Sequence, residues 1–256
     1  MIHETAIIDS TAVIANDVEI GPYSIIGADV EIDSGTVIGP HVVIKGPTRI
    51  GRDNRIFQFA SIGEDPQDLK FHGEKSKLVI GDRNTVRECV TIHRGTDEDN
   101  SITRIGSDNL FMAYVHIAHD CVIGNHIILA NNATLAGHVV VEDYAILGGF
   151  TAVHQFTHLG THCFTGFATA LDRDVLPYFT VAGNRARARG INKEGLVRKQ
   201  FKAETIRALQ DSYKILVKSK GTLKEKLERV SGLAETHPEV RQILDFIEKS
   251  ERGWTR

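Results

Sequence analysis

The sequence predicts a mainly β fold, with a parallel β-helix over residues 1–189 and a small α-helical domain over residues 190–256. The first reason is an apolar residue at every sixth position, starting at Ile8 and ending, after two interruptions, at Leu171. The second is that this period stops near residue 189, where the apolar residues take the spacing of amphipathic helices. The interruptions, at 64–78 and 94–104, are polar and predict two inserted loops.

A six-residue period differs from the 3.6-residue helical period and from the alternation of an ordinary strand. It is typical of a short strand with two inward positions, followed by a turn in which glycine relieves the backbone. Three such units close one coil, so residues three units apart should stack about 4.8 Å from each other on one face. Thr165 is the weak member of the apolar series. The two inserted loops should project from one side, either around a binding site or as surface insertions without function.

The last quarter of the chain predicts helices. Ile206 and Leu209 begin an apolar stripe at helical spacing. Thr222 and Glu225 have the spacing of a capping box, and Pro238 is suited to the first turn of a final helix.

The composition excludes several classes of protein. A charged fraction of 25%, an apolar fraction of 41% and a net charge of -3 are those of a globular protein without a nucleic-acid signature. No apolar run reaches the roughly 18 residues of a membrane span, and the first residues lack the pattern of a signal peptide, so we expect a cytoplasmic protein without membrane insertion. Cys89, Cys121 and Cys163 form no CxxC pair, which favours buried thiols over a disulfide framework or a zinc knuckle.

Histidines are concentrated on three successive coils. Ile117, Leu135 and Val153 follow one another at intervals of one full coil and should share one face. Four histidines lie beside this column at positions that are not inward: His116, His119, His138 and His154. The repeat therefore predicts that all four project outward and cluster on one face, although solvated imidazoles without a function are the alternative.

His119 is followed at once by Asp120, which favours acid–base chemistry. An imidazole with a pKa near 6.5 is a suitable base at neutral pH, and a carboxylate can fix its tautomer. The alternative is a catalytic zinc, which would take three protein ligands at about 2.1 Å. We predict the base, with neither a metal nor another cofactor.

Five motifs in order along the chain resemble the acyl-ACP—UDP-N-acetylglucosamine O-acyltransferase family: QDLK (67–70), IHRGT (92–96), HIAHDC (116–121), NNATLAGHV (131–139) and AVHQF (152–156). The resemblance covers the whole chain. It implies a left-handed β-helix and a homotrimer with sites in clefts between neighbouring prisms. The implied reaction is transfer of an (R)-3-hydroxyacyl group from acyl carrier protein to the 3-hydroxyl of UDP-N-acetylglucosamine, the first step of lipid A synthesis.

The resemblance also implies roles for individual residues. His119 would be the general base, Asp120 would orient it, and the backbone N–H of Gly137 would stabilise the oxyanion during direct attack on the thioester. The implied substrate contacts are Gln67, Asp68, Lys70, His116 and His138 around the sugar, His154 and Gln155 at the diphosphate, and Asn192, Glu194 and Arg198 at the nucleotide. Arg198 and its basic neighbours could instead be a solvated helix face, or a patch for the acidic carrier protein.

The chain departs from the family pattern where the acyl pocket ends. Long-chain members have glycine at the position of Phe167, and Phe164 is nearby; Phe167 also shares the outward offset of His119. Arg185 stands where the family pattern has a histidine near the acyl tail. Because each buried methylene contributes about 0.8 kcal/mol, a ring that excludes several of them predicts a donor of about ten carbons rather than fourteen.

Three alternatives remain open at this stage. One is another hexapeptide acyltransferase, such as the N-acyltransferase that acts later in the same pathway and carries an extra N-terminal domain. A zinc enzyme similar to the γ-class carbonic anhydrases is the second, and metal analysis would identify it. A non-catalytic scaffold is the third, and it predicts that His119→Ala leaves function intact.

Overall fold

The computed structural model describes residues 1–97 and 101–256. Part of the predicted loop 94–104 therefore lies outside the described residues. The strands are β1 (Ile7–Ile8), β2 (Val13–Ile14), β3 (Glu19–Ile20), β4 (Ile25–Ile26), β5 (Val30–Ile32), β6 (Val37–Ile38), β7 (Val43–Ile44), β8 (Thr48–Ile50), β9 (Arg55–Ile56), β10 (Ser61–Glu64), β11 (Lys77–Ile80), β12 (Thr85–Val86), β13 (Thr91–His93), β14 (Ile102–Ile105), β15 (Leu110–Phe111), β16 (His116–Ile117), β17 (Val122–Ile123), β18 (Ile128–Leu129), β19 (Thr134–Leu135), β20 (Val140–Val141), β21 (Ile146–Leu147), β22 (Ala152–Val153), β23 (His158–Leu159), β24 (Phe164–Thr165), β25 (Ala170–Leu171), β26 (Phe179–Ala182) and β27 (Arg187–Ile191).

These strands form the three faces of a prism. Sheet I runs from β1 to β25 through every third strand, sheet II runs from β2 to β23, and sheet III runs from β3 to β24 and ends with β26 and β27. In most coils neighbouring strands are parallel and lie three six-residue units apart in sequence, as in the pairing of His116 with Thr134. Only β26 and β27 pair antiparallel within the part of the chain that is described. The predicted fold class, a left-handed parallel β-helix followed by helices, is confirmed.

The sixth-position residues line the interior of the prism. Ile44, Ile62 and Ile92 are fully buried, because this position of the six-residue unit points toward the axis. Thr165 is buried as well, and its hydroxyl lies 2.7 Å from that of Thr151. The weak member of the apolar series is therefore accommodated by a hydrogen bond between two coils.

Both insertions leave the prism at the same corner, between a strand of sheet I and the next strand of sheet II, which we call the I–II corner. The first lies between β10 and β11 and the second between β13 and β14. The loops are shorter than predicted, because strands include three parts of the predicted ranges: Glu64, residues 77–78 and residues 102–104. Each insertion makes its coil longer than three six-residue units. The pairings of Ser61 with Thr91 and of Thr91 with His116 span these lengthened coils.

A ladder of buried asparagines bridges the same coils at the II–III corner. Asn54 Oδ1 accepts the backbone N–H of Asn84 at 2.9 Å, and Asn84 Oδ1 accepts that of Asn109 at 3.0 Å. These side chains keep the coils in register where the chain length between them changes. The insertions therefore build a loop cluster without disturbing the core.

The C-terminal segment contains helices α1 (Lys193–Arg198), α2 (Ala203–Tyr213), α3 (Leu223–Ala234) and α4 (Pro238–Lys249), with a π-helical turn at Lys214–Lys218. The predicted capping box of Thr222 and Glu225 is present, and Pro238 begins α4 as predicted. Strand β27 crosses the predicted domain boundary at residue 189, and the division into two domains stays a prediction. No helix in the described ranges is both long and apolar enough to span a membrane.

Candidate active site

The I–II corner forms a column of side chains on the coils that follow the two insertions. The third residue of each corner has a positive φ, at 58° for Asp120, 60° for His138 and 63° for Phe156. This backbone conformation is uncommon for residues other than glycine, and here it recurs at the same place in successive coils. The His138 ring stacks on Phe156 at 4.5 Å, and His119 meets His138 edge-on at 5.1 Å.

His119 and Asp120 form a buried pair within this column. His119 Nδ1 donates to Asp120 Oδ2 at 2.9 Å, and the two residues are 7% and 4% exposed. The backbone N–H of Thr96 and its hydroxyl also donate to this carboxylate, at 3.0 and 2.6 Å. Burial alone would raise the pKa of Asp120, but the hydrogen bonds from His119 and Thr96 outweigh burial and hold the pKa below its ordinary value. An ionised Asp120 fixes the proton on Nδ1 and leaves Nε2 of His119 as a proton acceptor.

Gly137 packs directly against the His119 ring. A Cβ atom at this position would meet Cε1 of the imidazole and lie 2.6 Å from Nε2. Among the described residues, none accepts a backbone hydrogen bond from the Gly137 N–H. Pro22 and Pro40 occupy the equivalent second position of other corners, so the coil does not need this N–H for folding. In the part of the chain that is described, this donor is unused, and it lies beside the His119 ring.

The first insertion covers the pair. Asp68 Oδ2 lies 3.8 Å from His119 Nε2, while Gln67 and Lys70 are exposed on the same loop. Arg94 fastens the start of the loop through the carbonyl of Gly63 at 2.6 Å and the carboxylate of Asp65. His119 therefore points outward from the prism, as predicted, but it is not on an open solvated face because the loop excludes water from it.

His116 lies beside the pair on β16. Its Nδ1 is 2.7 Å from the Thr91 hydroxyl, and its ring meets His93 edge-on at 4.9 Å. Burial and the proximity of His116 lower the pKa of His93 to about 4, and burial with His119 lowers that of His116. Sequence reasoning missed His93, Thr91 and Thr96. Only the IHRGT motif pointed to this segment, because the register that brings it to His119 depends on the length of the second insertion.

His154 does not join the column of His119 and His138. It stacks in register with Ala136 instead, and it is exposed. Its Nδ1 lies 2.9 Å from the carbonyl of Gln155 and 3.3 Å from Arg252 Nη2. His154 and Gln155 thus occupy the I–II corner one coil beyond Gly137.

The predicted nucleotide contacts lie at a different corner of the prism. Asn192 caps the N-terminus of α1, and its Nδ2 donates to the carbonyl of His162 at 3.0 Å, which places it at the II–III corner. Glu194 and Arg198 are exposed on the same helix. Within the single chain these residues do not converge with His119.

The predicted chain-length residues lie on a further part of the surface. Phe164 is on β24 of sheet III, and Phe167 follows in the III–I corner, where it is 73% exposed and meets Phe150 edge-on at 5.6 Å. Arg185 pairs with Asp172 at 3.2 Å. Phe167 and His119 therefore share a position in the six-residue unit but not a corner, because the number of units between them is not a multiple of three.

The donor atoms of His119, Asp120 and His138 lie within 4.8 Å of one another, which is close enough to consider a metal ion. The Asp120 carboxylate, however, already accepts hydrogen bonds from Thr96 and His119. These hydrogen bonds occupy acceptor positions that a metal ion would share. The hydrogen bond from His119 Nδ1 to Asp120 is that of an imidazole with an orienting carboxylate.

The solenoid of six-residue units matches the hexapeptide transferases over part of its length. Residues 102–137 match the family model described as bacterial transferase hexapeptide (six repeats), and residues 174–255 match that of UDP N-acetylglucosamine O-acyltransferase, domain 2.

Relatives cover the whole chain. The acyl-[acyl-carrier-protein]—UDP-N-acetylglucosamine O-acyltransferases of Stutzerimonas stutzeri and Herminiimonas arsenicoxydans are 56% and 55% identical, over 100% of this chain and 99% of each relative. The solved LpxA structure from Acinetobacter baumannii is 48% identical with a TM-score of 0.97, and covers 100% of this chain and 99% of its own. The Arabidopsis UDP-N-acetylglucosamine acyltransferase is 35% identical with a TM-score of 0.88, over 100% of both chains. The chain belongs to the acyl-ACP—UDP-N-acetylglucosamine O-acyltransferase family and is an acyltransferase.

Proposed function

We propose that this enzyme transfers an (R)-3-hydroxyacyl group from acyl carrier protein to the 3-hydroxyl of UDP-N-acetylglucosamine, the first step of lipid A biosynthesis. The names of the full-length relatives supply both substrates. The observation in this chain that supports the chemistry best is the His119–Asp120 pair, whose ring packs against Gly137 and its unused N–H.

The proposed mechanism is direct attack with His119 as general base. Nε2 takes the proton of the sugar 3-hydroxyl while its oxygen attacks the thioester carbonyl. The resulting oxyanion accepts a hydrogen bond from Gly137 N–H, a type of contact whose loss costs on the order of 10² to 10³ in rate. When the intermediate collapses, the C–S bond breaks and the imidazolium returns its proton to the leaving thiolate of the carrier protein. His116, His138, Asp68, Gln67 and Lys70 surround the position of the sugar.

We propose that a homotrimer completes the site. The residues assigned to the nucleotide and to the acyl tail lie at other corners of the same prism from His119, so a neighbouring protomer would have to supply them. From β15 to β24 the outward residues of sheet III are all apolar: Leu110, Ile128, Ile146 and Phe164. In the same coils those of sheet II include Arg104 and His158. A continuous apolar series of this kind suits a subunit interface. Because both proposed substrates are water-soluble, we propose that the reaction takes place in the cytoplasm.

For the acyl donor we propose a chain of about ten carbons. Phe167 is exposed in one protomer and could close a groove formed against its neighbour. A competition assay with 3-hydroxydecanoyl and 3-hydroxymyristoyl carrier proteins tests this length: the shorter donor should be used in preference, and Phe167→Gly should shift use toward the longer one. Preference of the unaltered enzyme for the longer donor would contradict the proposed length.

The proposed function is tested by mass spectrometry of UDP-N-acetylglucosamine incubated with a panel of acyl carrier proteins. We expect a product acylated at the sugar 3-oxygen, and a fall in turnover of about 10² to 10⁴ for His119→Ala with an unchanged oligomeric mass. Full activity of His119→Ala would refute the base. Activity that depends on stoichiometric zinc would favour the metal alternative instead.

A further inference from the structure

In the described part of the second insertion, the dipeptide Gly95–Thr96 contacts the His119–Asp120 pair. Thr96 is 2% exposed and Asp120 is 4% exposed, so this contact is closed to water. The backbone nitrogen of Thr96 lies 3.0 Å from both carboxylate oxygens of Asp120, and the Thr96 hydroxyl lies 2.6 Å from Oδ2. That same Oδ2 accepts the Nδ1 proton of His119.

Gly95 makes this approach possible. A Cβ atom on Gly95 would lie 2.7 Å from Asp120 Oδ1 and would also meet the backbone at Ser101 and Ile102. The backbone of Asp120 is held separately, because its N–H donates to the hydroxyl of Thr103 at 2.8 Å. The carboxylate and the backbone of Asp120 thus have different partners, and the insertion supplies Thr96 as a donor to the carboxylate beside His119.

We infer that Thr96 is a positioning residue of the acyl transfer, acting through Asp120 to hold the His119 ring in the tautomer and orientation that present Nε2 to the substrate. This inference rests on the proposed function, and it assigns a role to the second insertion. The hydroxyl of Thr96 donates to an ionised acceptor in a dry site, which is the setting in which a hydrogen bond is strongest. Without it, the carboxylate has one donor fewer and can rotate away from Nδ1.

Thr96→Ala and Thr96→Ser test the inference as a matched pair, because the two variants differ from each other only in the hydroxyl. We expect kcat of Thr96→Ala to fall on the order of tenfold or more, with KM for UDP-N-acetylglucosamine unchanged, and Thr96→Ser to recover most of the loss. Thr36→Val is the control, since it removes a buried hydroxyl that donates to Gly51 in an early coil. It should leave kcat unchanged even if its melting temperature falls.

A double-mutant comparison separates positioning from a general loss of stability. In an Asp120→Asn background, Thr96→Ala should cost less than about threefold in kcat, because its effect passes through the carboxylate. An equal cost in both backgrounds would overturn the inference, as would wild-type kcat for Thr96→Ala.

Nitrogen-15 NMR of histidine-labelled protein gives a readout that does not need turnover. The Nδ1 proton of His119 should be protected in the wild type and in Thr96→Ser, and should exchange rapidly in Thr96→Ala. If this pattern holds while the wild type makes no 3-O-acylated sugar, the proposed function fails and the positioning role stands. If the sugar is acylated but the proton is equally protected in Thr96→Ala, the positioning role is wrong.

Discussion

The His119 ring occupies the space that a side chain at position 137 would need. In Gly137→Ala the new methyl group would lie 2.6 Å from Nε2 of His119, so the ring has to move. We expect kcat to fall by about a hundredfold or more, since the proposed base would be moved away from the substrate and from the Gly137 N–H. Steady-state kinetics with both substrates measures the effect.

Gly232→Ala is the matched control for that variant. Gly232 lies within α3, and a Cβ atom there would meet nothing within 4 Å. Alanine in a helix interior is favoured over glycine by about 1 kcal/mol, so this variant should keep its turnover and melt at a slightly higher temperature. Equal kcat for Gly137→Ala and the wild type would show that His119 has room to move without loss of function.

The six-residue repeat predicted the elements well because burial fixes which residues point inward. Successive strand residues point to opposite faces, so an inward residue such as Ile62 or Leu135 fixes which of its neighbours point outward. The sequence did not predict which residues contact His119 and Asp120 at the corner. Whether His93 or Thr96 meets the coil of His119 depends on how many residues each insertion adds, and the spacing alone does not give that number.

The same limit explains the chain-length residues. The six-residue offset correctly places Phe167 at an outward corner position, but three corners share that offset. Which corner a residue occupies is known only when the coils have been counted through both insertions. Phe167 therefore lies on the III–I corner and not beside His119.

At the scale of elements, a stacked column at the II–III corner makes stability depend on pH. His162 stacks on Tyr144 at 4.6 Å and on Tyr178 at 5.7 Å, and Phe201 meets it edge-on. Burial, followed by the charge of Lys199, lowers the pKa of His162 from 6.5 to about 4, while Asp143 acts in the opposite direction.

Because the folded state resists protonation, the unfolded chain binds more protons between those two pKa values. The free energy of unfolding should therefore decrease as the pH falls from about 6.5 to about 4. In His162→Gln the decrease over this window should be smaller, with the remainder including a contribution of the same sign from His93. Urea titrations at several pH values measure it, and identical pH slopes for the two proteins would contradict the assignment.

At the scale of the whole molecule, the proposed trimer makes the exposed aromatic side chains of the III–I corner informative. Phe150 is 56% exposed and Tyr114 is 61% exposed, although neither is needed to fill the prism. We expect Phe150→Asp to lower the oligomeric mass measured by light scattering, since a charge buried at an interface is costly. Val13→Asp, on sheet II and 64% exposed, is the control and should leave the mass unchanged. Equal masses for all three proteins would place the interface elsewhere.

The end of the chain returns to close the open end of the prism. Asp174 forms a parallel β-bridge with Trp254, which is 4% exposed. The backbone N–H of Asp174 donates to the carbonyl of Gly253 at 3.1 Å, and its carbonyl accepts the N–H of Thr255 at 2.8 Å. The Asp174 carboxylate accepts the hydroxyl of Ser250 at 2.6 Å.

A stack of parallel strands is a template for more strands of the same kind, and an uncovered last rung is a place where another chain can add. The tail occupies that rung on sheet II. Deleting residues 253–256 should therefore leave a folded enzyme that aggregates on storage. Its particle size, followed over days beside that of the intact chain, would measure how far a few terminal residues protect a solenoid from fibre formation.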